Sequence, residues 1–186
     1  MSAALRAGVA VLERAVAYCL GGLSLVTPAL LERPTPCPGW DLRGLLSHLI
    51  DSMAALEEAV STGRVGLSAP ASADEVVPLA RDRAVRLLGA WAHAGDILRV
   101  RVEDAYLSAP LIAGAGAIEV TVHGWDVARA CGADRPIPPD LADELFDLAL
   151  VLVRAADRPA RFGRPVAVPG DAPPGDQLLA FLGRAP

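Results

Sequence analysis

The sequence contains no lysine and no asparagine, and its 17 basic residues, all arginine, are outnumbered by 22 acidic residues. The formal net charge is therefore −5 at pH 7. Nucleic acids and anionic membranes attract basic surfaces, so this balance gives neither of them an electrostatic reason to bind. We expect no nucleic-acid partner and no membrane partner.

Cysteine is scarce, with only Cys19, Cys37 and Cys131, and no two of them form a C-x-x-C pair. An odd number of widely separated cysteines excludes a disulfide framework, and their spacing does not match a cysteine zinc site. Free thiols of this kind are typical of a reducing compartment. We therefore expect a cytoplasmic protein.

Long apolar runs without a break are also missing. The uncharged segment 15–31 contains Gly21-Gly22 and Pro28, and Glu13-Arg14 precede it where a signal peptide would have a basic start. The segment therefore predicts neither a membrane-spanning helix nor a signal peptide.

Alternating strand patterns are rare, whereas apolar residues at three- and four-residue steps recur along the chain. We predict five helices, which begin and end with recognisable capping residues. They span about residues 3–20, 41–60, 72–95 (or 78–95 if Pro78 is the first helical residue), 107–131 (the start lying between 107 and 114) and 138–158. Asp41 is the expected N-cap of the second helix, and Gly132 follows the end of the fourth.

No repeat of solenoid length is present, and 186 residues with 53% hydrophobic content suffice for one core. We therefore predict an all-α protein in which residues 1–158 form a helical bundle. Residues 159–186 form a tail that packs on the bundle within the same domain, with a β-prone run at 166–168 and a helical turn around 178–182.

The fourth predicted helix carries Glu119, His123 and Asp126 within about 60° of one another on an otherwise apolar face. Burying such groups without partners costs roughly several kcal/mol of stability. A metal ion or a hydrogen-bonded network must therefore provide partners for them. The separation of four residues lets Glu119 and His123 reach one cation. Ordinary glutamate–histidine pairing is the alternative.

A third ligand would have to be His48 or His93, the other two histidines in the chain. His93 is predicted to be a solvated residue near a helix end, so we exclude it. His48 lies at the edge of an apolar face, with Gly44 one turn before it and Ser52 one turn after, which leaves room for a metal. A hydrogen-bonded boundary histidine would give the same pattern.

Together, His48, Glu119 and His123 offer two nitrogens and one oxygen, which suit zinc, or nickel or another divalent ion, and leave a coordination position open as in catalytic sites. Asp126 is predicted to accept a hydrogen bond from a ligating histidine. An ion pair between Asp126 and Arg129 is an equal alternative.

Five other residues have two interpretations each. Cys37 precedes a helix N-terminus and could be a nucleophile, but a half-buried structural cysteine is the preferred interpretation. Trp40 and Trp125 are expected in the core, with a role as pocket walls as the alternative. Arg161 and Arg164 are expected to be solvated, although either could contact an anionic substrate.

Two motifs and the tail resemble a known family. The stretch TPCPGWDLRGLLSH, which ends at His48, and EVTVHGWDVARACG, which begins at Glu119, resemble the two signatures of the mycothiol-dependent maleylpyruvate isomerase-like family. That family belongs to the DinB/YfiT-like superfamily of metal-binding four-helix bundles. The closing stretch FGRPVAVPGDAPPGDQLLAFLGR is similar to the C-terminus of its short, single-domain actinobacterial members.

The resemblance implies a DinB/YfiT-like four-helix bundle with an additional helix, and metal ligands at His48, Glu119 and His123. It also implies mycothiol as a possible cosubstrate, and the arginine-only composition agrees with a GC-rich actinobacterial host. The isomerase itself has a further C-terminal domain that contributes to its active site. This chain ends without one, so we do not expect it to isomerise maleylpyruvate.

We therefore expect a metal-dependent thiol S-transferase or isomerase that acts on an electrophilic small molecule. One alternative is a metal-dependent hydrolase, lyase or cyclase without a thiol. A second alternative is a non-catalytic protein that binds a small molecule. The sequence is compatible with a monomer or a homodimer.

Overall fold

The computed structural model describes residues 1–65, 75–95, 99–102, 104–159 and 161–186. The helices are α1 (Ala3–Leu23), α2 (Leu42–Thr62), α3 (Val76–Ala92), α4 (Ala109–Ala130), α5 (Pro139–Leu152) and α6 (Pro174–Phe181). The strands are β1 (Arg64–Val65), β2 (Arg99–Val102) and β3 (Ala105–Ser108). The predicted helical class is confirmed. Among the described residues, no helix combines the length and apolarity needed to cross a membrane.

The first four helices form a closed ring around one core. Helix α1 contacts α4 and α3, and α2 contacts α3 and α4. Helix α5 lies outside this ring against α4, and α6 packs on α5. The helix of the tail therefore packs against α5, and Arg184 beyond that helix also contacts Asp126 of α4.

Most helix ends lie where capping residues predict them. Asp41 caps α2 by accepting a hydrogen bond from the Gly44 amide at 2.8 Å. Gly132, after the end of α4, has φ +80°, a conformation that favours glycine. For α3, the structure places the start at Val76; the earlier of the two predicted starts, residue 72, lies outside the described residues.

Two helix ends are wrong in the prediction. Helix α1 continues through Gly21-Gly22 to Leu23, because Gly22 lies against Gly124 of α4 in a helix–helix contact and not at a turn. Helix α5 ends at Leu152, before the predicted stop at Arg158. There the backbone extends at Val153, and the Asp157 carboxylate accepts a hydrogen bond from the Arg154 amide at 3.0 Å.

A small sheet was not predicted. Strand β2 pairs in parallel with β1 and antiparallel with β3, and within β2 the side chain of Val100 is buried between exposed arginines. This R-V-R-V run alternates as a half-buried strand does, but β1 is only two residues long and distant in sequence, and β3 is only four residues long. The β-prone run at 166–168 forms no strand; its backbone hydrogen bond goes from the Val166 amide to the Ala180 carbonyl at 2.9 Å.

Helices α1 and α4 approach so closely that their glycines touch the opposite backbone. A Cβ atom on Gly124 would lie 2.9 Å from the Cα atom of Cys19, and one on Gly22 would lie 2.7 Å from the Gly124 carbonyl oxygen. Neither contact can relax without separating the helices. This contact fixes the position of α4 against α1, and α4 carries three of the candidate site residues, Glu119, His123 and Asp126.

We expect Gly124→Ala to destabilise the protein by about 1–3 kcal/mol, because the added methyl group overpacks a contact with backbone atoms. Gly89→Ala in α3 is the matched control. A Cβ atom at Gly89 meets nothing within 4 Å, so alanine there is expected to be neutral or to stabilise by about 0.4–1 kcal/mol. Chemical denaturation of both variants measures the difference. Equal stabilities would contradict the close-approach argument.

Candidate metal centre

The structure brings His48, Glu119 and His123 together between α2 and α4. Glu119 and His123 are one turn apart on α4, and His48 faces them from α2. Oε1 of Glu119 lies 2.7 Å from Nε2 of His48 and 3.4 Å from Nε2 of His123. One oxygen atom thus contacts both imidazoles.

The three donor atoms, which we call the triad, lie within 4.8 Å of one another. Tetrahedral zinc with bonds of about 2.0–2.2 Å places neighbouring nitrogen and oxygen ligands roughly 3.3–3.4 Å apart. The 3.4 Å contact already has this spacing, and the 2.7 Å contact is a direct hydrogen bond that a small rotation of either side chain opens. The donor types and their spacing fit a divalent cation.

The triad is accessible from solvent on one side. The side chains of His48 and Glu119 are 37% and 32% exposed, whereas that of His123 is 9% exposed. The hydroxyl of Ser52 donates a hydrogen bond to Oε1 of Glu119 at 2.9 Å. A cation held here would keep an open position toward the solvent side, as in catalytic sites.

Charge interactions favour the ionised carboxylate in the triad. Burial alone would raise the pKa of Glu119, but hydrogen bonds and charge from His123 and His48 lower that pKa well below its ordinary value. A carboxylate that stays ionised is the form that binds a metal ion.

The other nitrogen of His123 faces a second carboxylate. Nδ1 lies 3.0 Å from Oδ2 of Asp126, whose side chain is fully buried. An ionised carboxylate only accepts hydrogen bonds, so Nδ1 carries the proton and donates it. Asp126 thereby orients the ring and directs Nε2 toward Glu119. The ion pair between Asp126 and Arg129 is not observed; Arg129 lies over the Trp125 ring at 5.5 Å.

The partner of Asp126 is Arg184, a residue that the sequence analysis did not single out. Nη2 of Arg184 lies 2.9 Å from Oδ2 of Asp126, and the arginine side chain is 12% exposed. Burial alone would raise the pKa of Asp126, but the hydrogen bond from His123 and the charge of Arg184 lower it. The only signal in the sequence is Asp126 itself, a carboxylate on an apolar helix face that needs a charge partner; it does not indicate which arginine provides that partner.

Cys37 also belongs to this cluster and has a basic partner in space. Residues 31–41, which we call the connector, precede α2 and place Sγ of Cys37 3.2 Å from Nη2 of Arg184 and 3.8 Å from Nδ1 of His123. The thiol donates a hydrogen bond to Oδ2 of Asp126 at 3.1 Å. A basic partner 147 positions away could not be recognised in the sequence.

The two tryptophans have different roles. Trp125 is buried in the core, as predicted. The core prediction for Trp40 is wrong, because this residue is 38% exposed. The centroid of its ring lies 4.6 Å from that of the His48 ring and 6.2 Å from that of the His123 ring. Trp40 therefore forms a wall of the candidate site.

The remaining candidates lie elsewhere. His93 is exposed at the end of α3, where its Nδ1 lies 2.8 Å from the Gly89 carbonyl oxygen. Arg161 and Arg164 are exposed, in agreement with the preferred interpretation. All three cysteines are free thiols, and burial raises the pKa of Cys19 to about 12.

Comparisons with known proteins agree with this fold. In the crystal structure of the mycothiol-dependent maleylpyruvate isomerase, the similar region has a TM-score of 0.59 at 18% identity and covers 76% of this chain and 69% of that one. A histidine-to-alanine mutant of that isomerase gives a TM-score of 0.55 at 17% identity with the same coverage. At this identity the likeness concerns the fold.

Sequence comparisons identify the family. Uncharacterized proteins of two Mycobacterium tuberculosis strains are each 28% identical over 159 residues, which cover 83% of this chain and 85% of each relative. The family model described as the mycothiol maleylpyruvate isomerase N-terminal domain matches residues 12–128, a stretch that contains the whole triad and Asp126. Because this match covers more than half of the sequence, the chain belongs to the mycothiol maleylpyruvate isomerase N-terminal domain family.

Proposed function

We propose that this chain is a metal-dependent enzyme that uses mycothiol, or a similar small thiol, in a transfer or isomerisation reaction. The observation that carries this proposal is the convergence of Nε2 of His48, Oε1 of Glu119 and Nε2 of His123 at a solvent-accessible position. The names of the family and of the solved isomerase support the choice of thiol.

In this proposal His48, Glu119 and His123 hold the metal, and two nitrogens with one oxygen favour zinc. A divalent cation at this position would supply positive charge that favours the thiolate form of an incoming thiol. The chain's own residues prepare the site: Ser52 holds Glu119, and Asp126 holds the ring of His123.

The connector shapes the approach to the site. Trp40 covers part of the triad, and beside it lies an open surface depression of about 420 Å³ that Cys37, Trp40 and neighbouring connector residues line. We propose that the thiol and an electrophilic substrate enter from this side. The thiolate would then add to the electrophilic carbon of an activated alkene, and the π electrons of that double bond would move toward its activating group. After rotation about the resulting single bond, cleavage of the carbon–sulfur bond would restore the double bond and release the thiolate, which completes an isomerisation.

A calorimetric titration with mycothiol tests the proposal. We expect the zinc-loaded protein to bind mycothiol and the metal-free protein to bind it at least tenfold more weakly, because the metal supplies the charge that holds the sulfur. His48→Ala should carry less zinc by elemental analysis and should lose the response to mycothiol. His93→Ala, the same change at an exposed histidine, should keep both.

Two outcomes would contradict the proposal. If wild type and His48→Ala contain equally little metal, the triad is not a metal site. A zinc-loaded protein that does not bind mycothiol would instead favour a hydrolase, lyase or cyclase, because two histidines and one glutamate also bind zinc in metallohydrolases that activate water.

A further inference from the structure

A second set of donor atoms lies on the opposite side of the His123 ring. Sγ of Cys37, Oδ2 of Asp126 and Nδ1 of His123 are separated by 3.1 Å (S–O), 3.0 Å (N–O) and 3.8 Å (S–N). A tetrahedral zinc ion with one sulfur, one oxygen and one nitrogen ligand would space them roughly 3.4–3.6 Å apart. Shifts of about half an ångström would therefore suffice for these three atoms to share a cation.

A cation is already present there, and it is part of the chain. Arg184 reaches in from the tail, where its Nη2 lies 2.9 Å from Oδ2 of Asp126 and 3.2 Å from Sγ of Cys37. Its Nε lies 3.4 Å from Oδ1 of Asp126. The guanidinium thus occupies two of the three donors and balances the charge of the buried carboxylate.

We propose that Cys37, Asp126 and His123 form a latent second metal site, which the guanidinium of Arg184 occupies in place of a metal ion. Arginine keeps its charge at every physiological pH, and the chain tethers Arg184 beside the site, so its guanidinium has a high effective concentration there. A free cation must displace that guanidinium in order to bind. Removing the guanidinium leaves a buried carboxylate without its charge partner, and a divalent cation would then restore the balance. Its binding would form bonds to Sγ of Cys37 and to Nδ1 of His123, so the thiol proton of Cys37 and the Nδ1 proton of His123 would both pass to solvent. With a metal also bound at the triad, the ring of His123 would bridge the two ions as an imidazolate.

The latent site affects the triad because both use His123. The ring faces the triad through Nε2 and the latent site through Nδ1. With Arg184 in place, Nδ1 keeps its proton and His123 remains a ligand for the triad alone. This consequence rests on the proposed function, whereas the latent site itself does not.

Titration with Co²⁺ tests the proposal, because a cobalt–thiolate bond gives a charge-transfer absorption in the near ultraviolet. We expect wild type to bind one equivalent of Co²⁺ without this band. Arg184→Ala should bind a second equivalent with the band, and the additional change Cys37→Ser should abolish it. Arg184→Lys keeps a cation at the site, so it should bind one equivalent only, and so should Arg164→Ala, a change at an exposed arginine of the same tail.

A His48→Ala background separates this proposal from the proposed function. There Arg184→Ala should raise cobalt binding from none to one equivalent, with the thiolate band. Absence of that band, or a band that survives Cys37→Ser, would overturn the latent site even if the triad binds metal normally. The band in this background, together with a wild type that binds no cobalt, would uphold the latent site and refute the triad.

Folding is checked by circular dichroism before each titration. If Arg184→Ala unfolds the tail, Arg184→Gln replaces it, because glutamine keeps most of the side-chain length and removes the charge. The same second equivalent and the same band are expected. A folded Arg184→Gln protein that binds only one equivalent would overturn the proposal.

Discussion

Glu119→Gln is expected to weaken zinc binding by at least about 100-fold, which is the upper end of the loss seen when a group that merely supports a ligand is removed. Oε1 of Glu119 contacts both histidine nitrogens of the triad and provides its negative charge. Glutamine has almost the same shape and can still accept the hydrogen bond from Ser52. The loss would therefore report the missing charge and not a rearranged helix.

Competition with a chromophoric chelator measures this affinity. Ser52→Ala is the first control, because it removes a hydroxyl that supports Glu119 without removing a triad donor, and we expect a loss of about tenfold or less. Glu13→Gln, the same change at an exposed residue of α1, should leave the affinity unchanged. A Glu119→Gln protein with the zinc affinity of wild type would exclude Glu119 as a ligand.

The triad could be found in the sequence because its information is local. Glu119 and His123 are one helical turn apart, and the apolar spacing of α2 and α4 determines which faces point inward. To add His48 to this pair, one must also know that α2 packs against α4. In a ring of four helices each helix contacts two of the other three, so this packing is one of a few arrangements. The metal role of these residues is a proposal, but their convergence follows from helical periodicity.

The Cys37–Asp126–Arg184 cluster could not be found in the same way, because its members come from three distant parts of the chain. Arg161, Arg164 and Arg184 are all arginines of the tail, and the sequence gives no reason to prefer one of them. Only the burial of Arg184 in the structure distinguishes it from the other two. The site therefore has a part encoded by helical spacing and a part assembled by the connector and the tail.

The small sheet escaped prediction for a related reason. A strand of two residues such as β1 has no periodicity of its own, and its pairing with β2 depends on chain segments that α3 separates. Likewise, Gly21-Gly22 resembles a helix stop until α4 is placed against Gly22. Non-local contacts override local propensity in both cases.

Asp126→Ala is expected to destabilise the metal-free protein by about 3–5 kcal/mol, the usual cost of removing one partner from a buried ion pair. The change leaves the guanidinium of Arg184, which is 12% exposed, without its carboxylate, and it removes the acceptor for Nδ1 of His123. Asp143→Ala, an exposed carboxylate on α5, is the control and should change stability by less than about 0.5 kcal/mol.

Two further measurements identify the buried pair as the cause. Asp126→Ala combined with Arg184→Ala should lower the free energy of unfolding by less than the sum of the single changes, because the second change removes the orphaned charge.

The pKa of Asp126 is lowered in the folded state, so its charge stabilises the fold above the unfolded pKa of about 3.9. This contribution is lost as the pH falls through the folded pKa. Urea denaturation of the metal-free proteins should therefore show a gap between wild type and Asp126→Ala that is wide at pH 6 and narrows below about pH 4. Strict additivity in the double variant, with a gap that does not change with pH, would mean that Asp126 stabilises the fold by packing alone.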